Sequence, residues 1–200
     1  MNPTVFVVDD DDAMRDALAQ LLETTNLQVE VHADGPAFLA VFEATRPGCL
    51  LLDMAMPGMT GLEVQAALNA RGLAIPIIFL TGHGDIPMAV QAVQAGAVDF
   101  LEKPIQGAAL LERVQRALLL DQEWRLTQGR TQAIRQRYAR LTSRERECMA
   151  LAVFGHTSKE IARDLGISPR TVEVHRTHVM YKMGATNMAE LVNMAACCKP

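Results

Sequence analysis

The strongest constraint on the fold is an alternation, in the first 120 residues, of five short apolar runs with five helical patterns. The runs have the length of buried strands and cover residues 5–8, 29–31, 49–52, 75–80 and 98–101. Apolar residues recur at helical spacing between them, which predicts helices at about 13–25, 36–44, directly after Gly61, 86–95 and 106–120. Such an alternation is typical of a parallel sheet with helices on both faces.

Polar residues follow four of the five runs, at the point where each predicted strand ends. They are Asp9-Asp10-Asp11-Asp12 after the first run, Asp53 after the third, Thr81 after the fourth and Glu102-Lys103 after the fifth. Because the carboxyl ends of parallel strands meet at one edge of a sheet, we expect these side chains to line one crevice. Taken alone, Asp53 could equally cap a turn, and its partners are what favour a binding site.

The four consecutive aspartates indicate a metal site at this edge. Neighbouring carboxylates repel one another unless a cation neutralises some of them, and oxygen ligands suit Mg²⁺. We predict that Asp9, Asp10 and Asp53 bind Mg²⁺. Asp11 and Asp12 are better explained as residues that cap the following helix and complement its dipole.

The same edge carries a hydroxyl and an ammonium group beside Asp53. A carboxylate next to Mg²⁺ with such partners is equipped for phosphoryl transfer. Asp53 would be the nucleophile, and Thr81 and Lys103 would bind the oxygens of the incoming phosphoryl group. The expected product is a phosphorylated aspartate.

These residues resemble the receiver domain of two-component response regulators, and the resemblance covers about residues 3–120. The motif residues are Asp9-Asp10, Asp53, Thr81 and Lys103-Pro104, with Phe100 three residues before the lysine. The stretches 81–90 and 97–104 are similar to the FixJ-type branch in particular. The resemblance implies a flavodoxin-like sheet of order 2-1-3-4-5 and an Asp53 that accepts phosphate from a histidine of a sensor kinase. It also implies that the Ala55 carbonyl binds the metal, that Thr81 and Phe100 move together as a switch, and that the Lys103-Pro104 peptide is cis.

An alternative use of an aspartate nucleophile with Mg²⁺ is that of a haloacid-dehalogenase-like phosphatase, which needs a second acid two residues later. Ala55 stands at that position. Without a general base there, an aspartyl phosphate should persist as a signal, so we expect a regulator and not an enzyme. His83, two residues after Thr81, could affect hydrolysis of the phosphate, or it could be an ordinary histidine of a surface loop.

Residues 121–140 form a Gln- and Arg-rich stretch that we interpret as an at least partly helical linker, kept solvated by its arginines. Residues 141–200 then carry start signals for four short helices. Capping boxes begin at Thr142 and Thr157, Ser168 precedes a proline, and Asn187 repeats the pattern. The helices expected at 158–165 and 169–183, joined by a short turn with Gly166, predict a helix-turn-helix.

The second helix of this pair has two opposite stripes. Val172, Val179 and Met183 form an apolar stripe that should face the core, and Arg170, Val174, Thr177 and Tyr181 form the other stripe. That outer stripe could be merely solvated, or it could enter a DNA groove. Valine and tyrosine are unusual on a purely solvated face, and arginine and threonine can reach phosphates or base edges, which favours DNA.

The stretches 141–147, 158–162 and 171–176 resemble the LuxR-type four-helix DNA-binding domain, over about residues 141–196. This resemblance places DNA contacts at Glu173, Val174 and Thr177. The family commonly has lysine where this chain has Glu173. A carboxylate cannot donate to guanine but can accept from the amino group of cytosine, so we predict a different base preference at this position.

We further expect phosphorylation to promote a homodimer through the fourth helix and the fifth strand. Met88, Val90, Val93 and Val98 supply more apolar side chains there than one packed face requires, and Phe100 borders them. A helix-turn-helix gains affinity and half-site selectivity when it is paired.

The net charge of −4 hides two halves of opposite sign. Residues 1–120 hold 15 acidic and 6 basic side chains, a net of −9, and residues 121–200 hold 8 and 13, a net of +5. The acidic half suits a divalent cation, and the basic half suits a polyanion such as double-stranded DNA. Neither a membrane span nor a signal peptide is recognisable, and the four cysteines lack metal or disulfide spacing. We therefore expect a cytoplasmic protein with reduced thiols and no membrane partner.

Overall fold

The computed structural model describes residues 2–82 and 86–198. The chain forms two compact units, Met1–Trp124 and Arg125–Pro200, which are described separately as the first and the second unit. His83, for which an effect on phosphate hydrolysis and an ordinary place in a surface loop were both considered, lies outside the described residues.

The first unit contains a five-stranded parallel sheet. Its strands are β1 (Thr4–Val8), β2 (Gln28–His32), β3 (Gly48–Asp53), β4 (Ile77–Thr81) and β5 (Asp99–Glu102). Their order is β2-β1-β3-β4-β5, and every neighbouring pair is parallel. The predicted fold class and strand order are confirmed, with strand ends that differ from the expected ones by one or two residues. The polar residues Asp53, Thr81 and Glu102 are the last residues of their strands.

Five helices surround the sheet. They are α1 (Asp12–Glu23), α2 (Gly35–Val41), α3 (Gly61–Ala70), α4 (Ile86–Gln94) and α5 (Gly107–Ala139). Successive residues of a strand point to opposite faces, and the sheet has a core on each. Phe6 and Leu52 belong to the core on one face, whereas Val7 and Leu51 belong to the core on the other. The apolar runs of β1, β3 and β4 are buried along their whole length, as expected for strands covered on both faces, whereas β2 and β5 at the two sides of the sheet are partly exposed.

Helix α5 is much longer than predicted. We expected it to end near residue 120, but it continues without interruption to Ala139 and contributes residues to both units. The expectation that residues 121–140 are at least partly helical is confirmed. The interval contains no proline, and its many glutamines, arginines and leucines are good helix formers. Gly129 is the only glycine there, and one glycine weakens a helix without ending it.

The second unit contains four further helices. They are α6 (Ser143–Val153), α7 (Ser158–Leu165), α8 (Pro169–Met183) and α9 (Met188–Ala196). Each predicted start signal is present: Thr142 and Thr157 form complete capping boxes, and the Ser168 and Asn187 side chains accept from the third backbone N–H of their helices. Gly166 and Gly184 end α7 and α8 in the left-handed conformation that glycine favours.

Two arginines of the predicted linker do more than keep it solvated, so that interpretation is wrong for them. Arg137 donates to the Met183 carbonyl at the end of α8 (2.9 Å), and Arg135 donates to the Cys197 carbonyl after α9 (3.2 Å). The last carbonyls of a helix lack partners within the helix and carry partial negative charge, so a cation satisfies them well.

Candidate functional site

The carboxyl edge of the sheet gathers three acidic side chains. Asp53 ends β3 and is 5% exposed, and Asp9 directly follows β1 and is fully buried. Asp10 is the exposed member of the group. One carboxylate oxygen from each of these residues lies within 4.8 Å of the others. This is the one such group of potential metal ligands within residues 2–82 and 86–198.

Lys103 joins two of these carboxylates. Its Nζ donates to Asp53 Oδ1 at 2.6 Å and to Asp9 Oδ2 at 2.8 Å. The cis peptide that the resemblance implied at Lys103-Pro104 is present. Three carboxylates and one ammonium give the site a formal net charge of −2. A divalent cation would balance that charge.

The pKa of Asp53 shows that the negative charge of the site is only partly compensated. Burial raises the pKa of Asp53 above its ordinary value, Lys103 counteracts this only in part, and the charges of Asp9 and Asp10 add to the increase. Burial likewise opposes the charge on Lys103, but its hydrogen bonds to Asp53 and Asp9 outweigh that effect and raise its pKa. The Lys103 ammonium therefore stays charged, but it does not supply enough positive charge to compensate the neighbouring carboxylates.

The residues present suit Mg²⁺. All the candidate side-chain ligands offer oxygen, which this hard cation prefers, and one of them is exposed enough to leave the site accessible. Ala55, two residues after Asp53, is exposed on the loop that follows β3. The role of its carbonyl as a further ligand remains a prediction.

Thr81 and Phe100 lie on the two neighbouring strands. Thr81 ends β4 and is 5% exposed, and its hydroxyl makes a long hydrogen bond of 3.5 Å to the Leu101 carbonyl of β5. Phe100 immediately precedes Leu101 and is 47% exposed. The threonine hydroxyl is therefore held weakly, by the backbone next to the exposed aromatic ring.

Sequence reasoning missed several groups that support the acidic cluster. Arg15 of α1 donates to the Asp9 carbonyl at 2.6 Å and also pairs with Asp12. The Asp11 backbone N–H donates to Asp9 Oδ1 at 2.9 Å, and the Asp11 side chain caps α1 as predicted. Gly61, the first residue of α3, packs under β3: a Cβ atom there would overlap the Asp53 carbonyl oxygen.

The two stripes predicted on α8 are both present. Val172, Val179 and Met183 are buried, and Arg170, Val174, Thr177 and Tyr181 are exposed, as is Glu173 beside them. Tyr181 is 86% exposed, which is a large apolar area to leave in solvent. The outer stripe is thus available for a partner.

Glu173 has a partner that the sequence did not reveal. The Ser158 hydroxyl, at the start of α7, donates to Glu173 Oε1. The Thr177 hydroxyl donates to the Glu173 carbonyl at 2.9 Å, one helical turn earlier on α8. No spacing within one helix could have predicted the first contact, because it depends on how α7 and α8 pack.

Comparison with known proteins agrees with this arrangement. Residues 5–115 match the family described as response regulator receiver domain, and residues 139–195 match the bacterial regulatory proteins of the luxR family. The transcriptional regulatory protein FixJ of Azorhizobium caulinodans is 47% identical over 191 residues, which are 96% of this chain and 90% of that protein. The chain belongs to the FixJ-type response regulators.

Solved structures of FixJ-type and related regulators match almost the whole chain. The response regulator StyR is 42% identical with a TM-score of 0.87, over 98% of this chain and 99% of its own. Full-length FixJ from B. japonicum is 40% identical with a TM-score of 0.61, over 98% and 97%. This FixJ-type regulator is thus a two-component transcriptional regulator with a receiver domain and a LuxR-type DNA-binding domain. A phosphorylation-dependent mechanism is typical of the family.

The FixJ relatives of this chain are described as transcriptional regulatory proteins. All four cysteines are free thiols. Within residues 2–82 and 86–198, no helix has both the length and the apolar character that a membrane crossing requires.

Proposed function

We propose that Asp53 accepts a phosphoryl group from a histidine of a sensor kinase and that this modification controls DNA binding. The observation that carries the proposal is the Lys103 ammonium, which bridges the buried carboxylates of Asp9 and Asp53 beside exposed Asp10. A buried carboxylate at an accessible strand end, with a cation fixed beside it, can act as a phosphoryl acceptor.

Asp9, Asp10, Asp53 and the carbonyl of Ala55 would hold Mg²⁺. Once bound, Mg²⁺ neutralises the charge of the carboxylates and of the phosphoryl oxygens. Lys103 is already within hydrogen-bond distance of Asp53, so its ammonium can stabilise negative charge on a phosphoryl group attached there. Thr81 would complete the oxygen-binding groups with its hydroxyl.

The switch follows from the weak hold on Thr81. Its hydroxyl bond to the Leu101 carbonyl is 3.5 Å long, near the limit for a hydrogen bond. A phosphoryl oxygen on Asp53 would be a stronger, charged acceptor, and the hydroxyl would leave Leu101 for it. The backbone beside Phe100 would then lose a partner, and the Phe100 ring would change its exposure.

The outer stripe of α8 would be the DNA-reading surface. Arg170, Glu173, Val174, Thr177 and Tyr181 are exposed together on this helix. They combine a cation for phosphates, polar groups for base edges and an apolar contact for a thymine methyl group. The partner is double-stranded DNA, and we therefore place the protein in the cytoplasm, where that DNA lies.

The proposed output of phosphorylation is a homodimer formed by α4 and β5. Val90, Val93 and Phe100 are each about half exposed, at 51%, 49% and 47%. Met88 and Val98 are partly buried, and Met88 packs against the core of the first unit. Two copies joined there would bring two helix-turn-helix modules to two half-sites.

The site favours a signal over catalytic turnover. Ala55 occupies the place of the second acid that a phosphatase of this kind uses, and it offers no side chain to activate water. The phosphorylated protein should therefore accumulate, and repeated turnovers with a phosphodonor should be slow.

Labelling tests the acceptor directly. Incubation with Mg²⁺ and a small phosphodonor should add one phosphoryl group per chain, as measured by intact mass, and EDTA should prevent it. Asp53→Asn should abolish the label because the nucleophilic oxygen is lost. Asp16→Asn, which changes an exposed aspartate of α1, should leave it unchanged. Undiminished labelling of Asp53→Asn would refute the assignment.

A further inference from the structure

We propose that Ser158 is a positioning residue for DNA specificity: it holds the Glu173 carboxylate in the orientation that accepts a hydrogen bond from a cytosine amino group. The inference rests on the proposed role of α8 in reading DNA. It concerns α7 and α8, the two helices of the helix-turn-helix, and the hydrogen bond that joins them.

The contact fixes an otherwise free side chain. Glu173 is exposed on α8, and a solvated glutamate moves among many rotamers. Ser158, the first residue of α7, donates its hydroxyl proton to Glu173 Oε1. An acceptor that is already oriented in the free protein loses less entropy on binding and discriminates more sharply between bases.

The pair still leaves Glu173 able to read a base. An ionised carboxylate has about four acceptor positions, and the serine uses one of them. Oε2 and the remaining lone pairs can accept from the DNA. In the major groove, the amino group of cytosine can donate a hydrogen bond to a glutamate carboxylate, whereas guanine presents only acceptors there.

The neighbouring polar group strengthens this choice. The Thr177 hydroxyl proton is directed to the Glu173 carbonyl at 2.9 Å, so this hydroxyl presents its lone pairs to a partner. Glu173 and Thr177 together thus form an acceptor-rich patch one turn long on α8. A base with an exposed amino group fits such a patch better than one without.

A phosphate contact is the main alternative for Ser158. Hydroxyls and helix N-termini often bind DNA phosphates, and Ser158 begins a helix. Here, however, its only proton is donated to Glu173, and the adjacent carboxylate would repel a phosphate. The geometry therefore favours base reading through Glu173.

The test is a randomised-operator selection with the full-length chain at fixed salt, in the presence of a phosphoryl mimic. Ser158→Ala should reduce the base preference by about 5-fold or more at the operator position where Glu173→Ala reduces it. The double variant should behave as Glu173→Ala does, because Ser158 acts through that carboxylate. Ser158→Thr, which keeps the hydroxyl, should retain the preference.

Ser143 provides a matched control. It is the first residue of α6 after the Thr142 cap, as Ser158 is the first residue of α7 after the Thr157 cap, and it is exposed. Ser143→Ala should leave every base preference unchanged. Thermal unfolding of each variant shows that the helices remain folded.

The other outcomes separate the two proposals. Failure of the wild-type protein to enrich any sequence would refute the DNA-binding role itself. If the wild type enriches a sequence and Ser158→Ala binds all sequences more weakly by the same factor, Ser158 contacts a phosphate. That result would overturn the positioning role. A further change in base preference when Ser158→Ala is added to Glu173→Ala would mean that Ser158 reads the base itself, which also overturns it.

Discussion

At the scale of single residues, both units contain a buried carboxylate held by a lysine. In the first unit Lys103 contacts Asp9 and Asp53, and in the second Lys182 donates to both oxygens of Glu145 at 2.8 and 2.7 Å. In the first arrangement the carboxylates outnumber the cation and lie at an accessible edge, as the proposed acceptor site requires. The second has one lysine for one carboxylate, with His178 Nδ1 at 3.7 Å from Glu145 Oε1, and we expect it to serve stability.

The sequence predicted these two sites unequally. The spacing of Asp9, Asp10, Asp53 and Lys103 at strand ends indicated one cluster, because strand ends of a parallel sheet must converge. Glu145 was visible only as part of the capping box with Thr142. Its lysine is 37 positions away on α8, and helix packing, which no local pattern encodes, brings the two together.

The Glu145 pair yields a stability prediction. Glu145→Gln should destabilise the second unit by about 1.5–3 kcal/mol, the typical contribution of hydrogen bonds to a charged group. Glu160→Gln is the matched control: Glu160 forms the same capping box in α7 but is exposed. Chemical unfolding should show a larger loss of unfolding free energy for Glu145→Gln than for Glu160→Gln. Equal losses would mean that only the capping box contributes to stability and that Lys182 adds nothing.

The same pair should make stability depend on pH. Burial alone would raise the pKa of Glu145, but Lys182 and Thr142 outweigh it and hold the pKa below the ordinary value of 4.5. A lowered pKa means that the stabilisation is present above that value and is lost as the pH falls through the folded-state pKa. As the pH is lowered below 4.5, the free energy of unfolding of the wild type should therefore fall, and the fall should be smaller for Glu145→Gln.

At the scale of elements, most boundaries were predictable, and α5 was the exception. Helix starts in the second unit follow from capping residues, and the ends of α7 and α8 follow from glycines, which act within a few residues. The end of α5 has no such local signal near residue 120, and polar composition suggested an at least partly helical linker there. Composition indicates solvent exposure, but it does not show whether such a linker continues the preceding helix.

Gly129 allows a direct test of α5. It lies inside the helix, and a Cβ atom there would have nothing within 4 Å. Gly129→Ala should therefore stabilise the protein by about 0.5–1 kcal/mol, because alanine loses less backbone entropy in a helix. Gly129→Pro should destabilise it, since proline lacks the N–H and clashes with the preceding turn. Circular dichroism during unfolding measures both, and a destabilised Gly129→Ala would argue against a helix here.

At the scale of the whole molecule, the opposite charges of the two halves correspond to two kinds of partner. The acidic half contains the carboxylate cluster, and the basic half contains the exposed stripe of α8. Charge and composition predicted an acidic and a basic half, and the family resemblance explains them as a receiver domain and a DNA-binding domain. The composition could not identify the proposed dimer face, because exposed apolar residues are common on protein surfaces.

The proposed dimer face is tested by one exposed valine. Val93→Asp should weaken phosphorylation-dependent dimerisation roughly tenfold or more, because association would bury an unpaired charge. Val41→Asp changes a valine of equal exposure on α2, at 50% against 49%, and should leave the dimer intact. Sedimentation with a phosphoryl mimic measures both. A monomer that binds DNA tightly without dimerising would contradict the proposal.

The glycine at position 61 gives the carboxyl edge a constraint that no list of reactive groups would include. Its missing side chain lets α3 begin directly against the Asp53 backbone, and a Cβ atom would also come within 2.9 Å of the Phe79 ring. Any larger residue there would require the backbone of α3 or β3 to shift. The absence of a side chain at Gly61 therefore sets how closely α3 approaches the proposed acceptor residue, although Gly61 contributes no chemical group to the site.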